Sequence, residues 1–364
     1  MQLKTILTDV ALTLATGMHQ PSAGEENGNQ TLLWHQTFDD YSPSTPGWKR
    51  INERRFKQIA SSDIDDGWRL EAYSSILHSA MSKNFTEYGW SLTKAPQYIT
   101  DKLKRRLHAG LKKRNEQVGA DEVTNESKST FFIPDQEENN EIVHELLPLH
   151  EAWSGVKLVP QNSYGLRVYR GNITLAMHVD ESATHVISSI LHVGHGEDDE
   201  PWALVIEDFH GNTNEVFLES GDMLFYESSK CVHGRPKMFN GDYYSSLFTH
   251  YSPVTDWHGH QDWTEEYIPD SYEERQEKEA GDSSEDLIFD DYALIEPSCA
   301  HGWCGYRDSV KWYGPAPGYG KLLTGDGKVR DLNDIPSENS FRRMRTMGST
   351  RLEKYVVVSD MDYF

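Results

Sequence analysis

The residues most able to do chemistry in this chain converge on a few positions. His178 and Asp180 flank Val179, and His233 follows 53 positions after the aspartate, in the run Cys231-Val232-His233-Gly234-Arg235-Pro236. Alternate side chains of an extended strand share a face, so His178 and Asp180 can aim an imidazole and a carboxylate at one point. If a neighbouring strand delivers His233, the three groups cap one face of an octahedral ion and leave the opposite face open. Two imidazoles and one carboxylate so arranged suit a non-haem Fe(II) centre.

Other groups compete for attention. His192 with His195, and His258 with His260, have spacings a metal could use, but no strand pattern accompanies them and they are read as non-ligands. Cys299 and Cys304, in Cys-Ala-His-Gly-Trp-Cys, either close a small disulfide loop in an oxidising compartment or stay as thiols. With His301 they look like half of a zinc site, but no second cysteine pair completes it. Cys231 reads as a buried thiol on the strand that delivers His233.

Ligands this far apart need a rigid frame. From Tyr164 the apolar period is two, and strands are predicted at 164–170, 173–180, 184–193, 202–208, 214–219, 222–227, 229–233 and 243–252. Phe209-His210-Gly211-Asn212 and Ser220-Gly221-Asp222 mark turns. This density of short strands suits a double-stranded β-helix, the two-sheet jelly roll. Ahead of it, apolar residues at three- and four-residue spacing predict helices from Asp65 to Met81, from Tyr98 to Arg114, and from Asn140 to Trp153 with Pro148 interrupting or kinking the third. The basic set on the second helix reads as a solvated face. The expected class is α+β: a jelly-roll core with N-terminal helices packed on it and a loop-rich C-terminal extension. The corresponding divisions are a polar, turn-rich segment at 1–60, helical support at 61–160 with a loop at 115–130, the core at 161–255, an acidic linker or lid at 256–291, and the extension at 292–364.

A formal net charge of −23 repels nucleic acid and counts against it as a partner. No apolar run approaches the roughly 20 residues that span a bilayer. Met1 to Ala23 reads either as a weak secretory signal or as an ordinary first helix or strand, because Asp9 interrupts the apolar stretch. Asn29, Asn84, Asn125 and Asn172 head Asn-x-Ser/Thr triplets that a secreted chain would offer for glycosylation. Asn172 is expected to be inaccessible beside the metal strand. The secretory pathway, in the endoplasmic reticulum lumen, is the first expectation for location and the cytoplasm the second.

Taken together, four stretches resemble a known family: Tyr169 followed after eight residues by His178-Val-Asp180, Ser188-Ser-Ile-Leu-His-Val193, Gly221-Asp-Met-Leu-Phe225, and His233-Gly-Arg-Pro. They are similar to the catalytic domain of the prolyl 4-hydroxylase branch of 2-oxoglutarate- and Fe(II)-dependent dioxygenases. The resemblance implies that His178, Asp180 and His233 ligate iron and that the Tyr169 hydroxyl binds 2-oxoglutarate. It implies O2 as oxidant, ascorbate as reductant, and release of succinate and CO2 as a C–H bond is hydroxylated. Related halogenases lack the carboxylate, so Asp180 points to hydroxylation. A proline-containing protein or peptide is the first substrate implied, with a small molecule or another side chain second. A non-catalytic jelly-roll binding module is the reading from a different class.

The chain departs from the family in one place. A Lys or Arg is expected nine or ten residues beyond the distal histidine, opposite the distal carboxylate of 2-oxoglutarate, and here Asp242 and Tyr243 stand there. A buried carboxylate needs a counter-charge or several donors. Arg235 is the first candidate, two residues after His233, with Lys237 and Arg167 as alternatives and Tyr169 and Tyr243 as supporting hydroxyls. Pro236 threatens this assignment, since it can end the strand and turn Arg235 outward.

Overall fold

The computed structural model describes residues 41–113, 130–255, 257, 267–269, 271–278, 281, 286–290 and 293–334. The candidate signal, Asn29, Asn125, His258 and His260 lie outside them. The first element corrects the expectation of a turn-rich segment through residue 60. Helix α1 (Pro46–Ser61) starts on Thr45, whose hydroxyl accepts the Trp48 N–H, and Pro46 supplies a helical φ. Apolar periodicity does not disclose this helix, because its buried face mixes Trp48, Phe56 and Ile59 with Asn52, Arg55 and Gln58. Asn52 donates to the Trp48 carbonyl one turn back, but others find partners far along the chain. Gln58 and Arg54 bind Glu296, and Arg55 pairs with Glu207.

Helix α2 (Asp66–Met81) is capped by Asp65, which accepts the Trp68 N–H. Helix α3 (Gln97–Lys113) turns Lys102 and Arg106 toward Glu138 and Glu141 of α4 (Gln136–Ser154). Helix α4 starts earlier than Asn140, where the Asp135 carboxylate accepts the Glu138 N–H, and ends at Gly155 in the left-handed region. It continues through Pro148, so the expected interruption does not occur. Tertiary packing outweighs the lost backbone bond here: Leu146, Leu149 and Trp153 remain buried on both sides of the proline.

In chain order the strands are β1 (Trp90–Lys94), β2 (Thr130–Phe132), β3 (Leu158–Tyr169), β4 (Ile173–His178), β5 (Ile187–His195), β6 (Leu204–Glu207), β7 (Thr213–Phe217) and β8 (Asp222–Tyr226). They continue with β9 (His233–Phe239), β10 (Tyr244–Pro253), β11 (Ile288–Asp290), β12 (Ala293–Ile295), β13 (Val310–Tyr313), β14 (Lys321–Thr324) and β15 (Val329–Asp331). One sheet runs β15-β14-β1-β8-β5-β10-β3-β2 and the other β11-β12-β4-β9-β6-β7-β13. The order β8-β5-β10-β3 in one and β4-β9-β6-β7 in the other is the double-stranded β-helix, and helices support it as expected. The segment beyond 292 is more than loops, since β12 to β15 extend both sheets. Among the described residues no helix is long and apolar enough to cross a membrane.

Alternation sorts the side chains. On β8, Leu224 and Tyr226 enter the cluster between the sheets, and Met223 and Phe225 enter the cluster beneath α3 and α4. Phe225 stacks on Trp153 at 5.2 Å between ring centres, a burial contributing about 1.5–3 kcal/mol. Strands β5 and β10 divide the same way, with Ile190 and Phe248 inside and Leu191 and Leu247 beneath the helices.

Three boundaries differ from expectation in ways that matter. Strand β4 stops at His178, so Asp180 lies just past it. Residues 227–232 form a turn, so Cys231 is not on a strand; β9 begins at His233. It then runs through Pro236 to Phe239 without turning Arg235 outward. Pro236 has no N–H to donate, but pairing with β4 resumes on either side of it, at Arg235 and Phe239. Asn172 is exposed in the β3–β4 turn, contrary to expectation, with φ of 67°. Cys299 and Cys304 are joined as a disulfide, their Cα atoms 4.9 Å apart.

His150 of α4 links this packing to pH. It is buried against Phe225 and Tyr251, its Nδ1 bonded to the Leu146 carbonyl at 2.8 Å. Burial pushes its pKa from 6.5 to about 3, opposed by that carbonyl. The unfolded chain therefore binds a proton at this site below pH 6.5 that the folded chain refuses until about pH 3, so stability falls across that window as pH falls. The contribution is at most about 1.4 kcal/mol per pH unit. Replacing His150 by Gln should flatten the dependence of unfolding free energy on pH in that window, measured by denaturant titration; an unchanged slope contradicts the assignment.

Candidate metal centre

Strands β4 and β9 bring two histidines face to face. His178 ends β4, His233 begins β9, and the two are paired across the antiparallel ladder. Gly234 makes that approach possible: a Cβ there would lie 2.6 Å from the Ala176 carbonyl. The same carbonyl accepts a hydrogen bond from His178 Nδ1 at 2.8 Å. The Cys231 carbonyl accepts one from His233 Nδ1 at 2.9 Å. With Nδ1–H committed to a carbonyl in each ring, both Nε2 atoms carry a lone pair, and both face Asp180.

Asp180 completes the cluster. Its Oδ1 lies 3.4 Å from His178 Nε2 and 3.7 Å from His233 Nε2, and one ligand atom from each residue falls within 4.8 Å of the others. Its backbone N–H is fixed by the Ser228 carbonyl at 2.9 Å. Its Oδ2 is buried with no hydrogen-bond partner among the described residues. Burial works to raise this carboxyl's pKa, but His233 and then His178 and His250 pull it well below the usual carboxylate range. Burial, and then His178, lowers His233 to about 4. Lone-pair imidazoles beside an anionic carboxylate, with one carboxylate oxygen unsatisfied, form a donor set that fits a divalent cation.

Several neighbours were not legible as site residues. Tyr226 of β8 packs edge-on against His233, its ring centre 4.7 Å away. Burial raises its pKa well above 10, and the nearby Asp180 carboxylate adds to this. His250 of β10 donates or accepts at Ser188 Oγ, 2.7 Å from Nδ1, and that nitrogen is 3.9 Å from Asp180 Oδ2. His185 lies against His250 with ring centres 3.9 Å apart. Counting by twos along β10 from Tyr244 reaches His250, and this was the available signal.

Away from the ligands, the interior holds a buried cation. Arg235 is 2% exposed. Its guanidinium lies over the Trp202 and Tyr244 rings, 4.7 and 4.4 Å from their centres. It donates to the Trp202 carbonyl, and to the Tyr244 hydroxyl at 3.2 Å. No carboxylate among the described residues pairs with it. Tyr169 meets the other side of this wall, edge-on to Trp202 at 5.2 Å. Arg167 is buried too, its guanidinium 4.8 Å from the centre of the Tyr169 ring.

Two expected participants are elsewhere. Lys237 is about half exposed and lies 3.9 Å from Glu200. Tyr243 packs with the residues beneath the helices, its N–H directed at Asp199. The reason is strand parity: Tyr244 faces the interior, so Tyr243 must face away. The hydroxyl beside Arg235 therefore comes from Tyr244.

No family model matches the chain, and no curated protein matches it. Similar solved structures include a Pseudomonas putida prolyl-4-hydroxylase, 11% identical over 50% of this chain and 100% of that one, with a TM-score of 0.35. HygX from Streptomyces hygroscopicus, with nickel, 2-oxoglutarate and hygromycin B bound, is 12% identical over 46% and 84%, with a TM-score of 0.36. A prolyl hydroxylase from Trichoplax adhaerens, in complex with a hypoxia inducible factor peptide fragment, is 12% identical over 50% and 92%, with a TM-score of 0.34.

The donor set leads to a direct expectation. Wild-type protein should bind one Co(II), seen by ligand-field absorption, and His178→Ala or Asp180→Ala should weaken binding at least a hundredfold with the far-UV circular dichroism unchanged. Wild-type affinity in either variant contradicts the assignment.

Proposed function

We propose that this chain is a 2-oxoglutarate- and Fe(II)-dependent dioxygenase that hydroxylates a C–H bond. The observation that carries the reading is the pair of Nε2 atoms aimed, with Asp180, at one point inside the β-helix. His178, Asp180 and His233 hold Fe(II). Bound there with 2-oxoglutarate and O2, the metal supplies oxidative decarboxylation, yielding succinate and CO2 and inserting oxygen into a C–H bond. The chain's own residues orient and desolvate. The two backbone carbonyls fix the imidazole tautomers, Tyr226 buttresses His233, and the aromatic lining excludes water. Ascorbate serves as the reductant that keeps the metal ferrous.

Arg235 binds the distal carboxylate of 2-oxoglutarate. A guanidinium this deeply buried without an anion is costly, and its planar fork suits a carboxylate. Two residues beyond His233, it faces the same interior as that ligand. Tyr244 and Tyr169 line the wall beside it. The first substrate class is a proline-containing protein or peptide, acted on in the secretory pathway. The Cys299–Cys304 bond supports an oxidising compartment.

Purified protein given Fe(II), ascorbate, O2 and 2-oxoglutarate should release succinate, more so with proline-containing peptides, which should each gain one oxygen atom. Turnover with small molecules and none with peptides would move the substrate class. No succinate under any of these conditions would leave the non-catalytic binding module as the reading. Loss of a charge-assisted bond costs about 1.5–3 kcal/mol, so Arg235→Ala should raise the 2-oxoglutarate requirement by about ten- to a hundredfold with Co(II) affinity nearly unchanged. Lys237→Ala should change neither. A large rise in Arg167→Ala with none in Arg235→Ala would transfer the anchor to Arg167.

A further inference from the structure

The turn at residues 227–232, between β8 and β9, carries two charges that the proposed chemistry does not use. Glu227 and Lys230 are both fully buried. The Glu227 carboxylate accepts the Phe85 and Thr86 N–H groups at 3.0 and 2.8 Å and the Thr86 hydroxyl at 2.7 Å. The Lys230 ammonium donates to the carbonyls of Ser42 at 2.8 Å, Ser79 at 2.9 Å, and Ser82. Ser79 and Ser82 stand at the C-terminal end of α2, where carbonyls lack helical partners and a cation is favoured. Ser79 also returns a hydrogen bond, from its hydroxyl to the Lys230 carbonyl at 2.6 Å. Trp48 and Phe209 present their rings to the ammonium at 5.5 and 5.6 Å. Three carbonyls match the three N–H groups of an ammonium, although burial pushes its pKa down against the pull of Glu227.

The same turn also faces the metal centre. The Ser228 carbonyl holds the Asp180 N–H, and the Cys231 carbonyl holds His233 Nδ1. Thus one six-residue turn touches two of the three ligands through its backbone and is fastened at its back by two buried charges.

We propose that Glu227 and Lys230 are positioning residues of the metal centre, a clamp that fixes the turn whose carbonyls orient Asp180 and His233. The proposal rests on the reading of His178, Asp180 and His233 as metal ligands. Without the clamp the turn can drift from α2 and from the 85–86 loop, and both carbonyl contacts drift with it. Partners that orient ligands change metal affinity by about ten- to a hundredfold when removed.

The test is a Co(II) titration of the full chain, followed by ligand-field absorption, with thermal melting alongside. Lys230→Met should bind Co(II) about ten- to a hundredfold more weakly, with an altered absorption envelope. Thr86→Ala, which deletes one donor to Glu227, should lose less in the same direction and guards against failure of Lys230→Met to fold. Lys94→Met removes the partner of Asp222 in an ion pair at the opposite end of β8 from this turn. It should lower the melting temperature while keeping wild-type Co(II) affinity and spectrum. Wild-type affinity and spectrum in Thr86→Ala and in folded Lys230→Met would overturn the clamp. A wild-type protein that binds no Co(II) would overturn the metal reading itself, and the clamp with it.

Discussion

Two backbone carbonyls decide what this site can do. A neutral imidazole has one N–H and one lone pair, and the partner of one nitrogen dictates the role of the other. The Ala176 and Cys231 carbonyls take Nδ1–H from His178 and His233, so each Nε2 is left as a donor to a cation. The rest of the fold serves that arrangement. Gly234 lets β9 close onto β4, the antiparallel register sets the histidines opposite each other, and the turn ahead of β9 delivers one of the two carbonyls.

Burial of charge is the second constraint. The space between the sheets contains Asp180, Arg167 and Arg235, each at most slightly exposed. A charge removed from water needs a partner or becomes a liability. Asp180 has its histidines. Among the described residues Arg235 has a carbonyl, a phenol and two aromatic faces, which stabilise a guanidinium less than a carboxylate would. The interior thus has an anionic corner at Asp180, beside His233, and a cationic one at Arg235, two residues beyond His233 on β9.

Much of this was written in local sequence. The alternation after Tyr164 disclosed the β-helix, which depends only on period two, and the types and spacing of His178, Asp180 and His233 singled out three groups that the fold brings together. What stayed hidden depended on distant partners. Helix α1 was obscured because Arg55 and Gln58 are buried by pairing with Glu207 and Glu296, residues far along the chain. Tyr243 stands in the slot to which the family pattern points, but β10 turns it toward the helices and presents Tyr244 to the interior, because one step along a strand reverses the side chain. Asp180 shares no strand with His178; the Ser228 carbonyl, from a turn far along the chain, places it instead. Strands β14 and β15 were unreadable because short segments join a sheet through their neighbours rather than their own composition.

The central claim is that His178, Asp180 and His233 hold Fe(II) so that 2-oxoglutarate can chelate it. Anaerobic addition of Fe(II) and then 2-oxoglutarate, followed by visible absorption, tests this most directly. The account predicts a metal-to-ligand charge-transfer band that grows to one equivalent of 2-oxoglutarate and is absent from Asp180→Ala. Tight Fe(II) binding with no such band, or a band that persists unchanged in the variant, would contradict it.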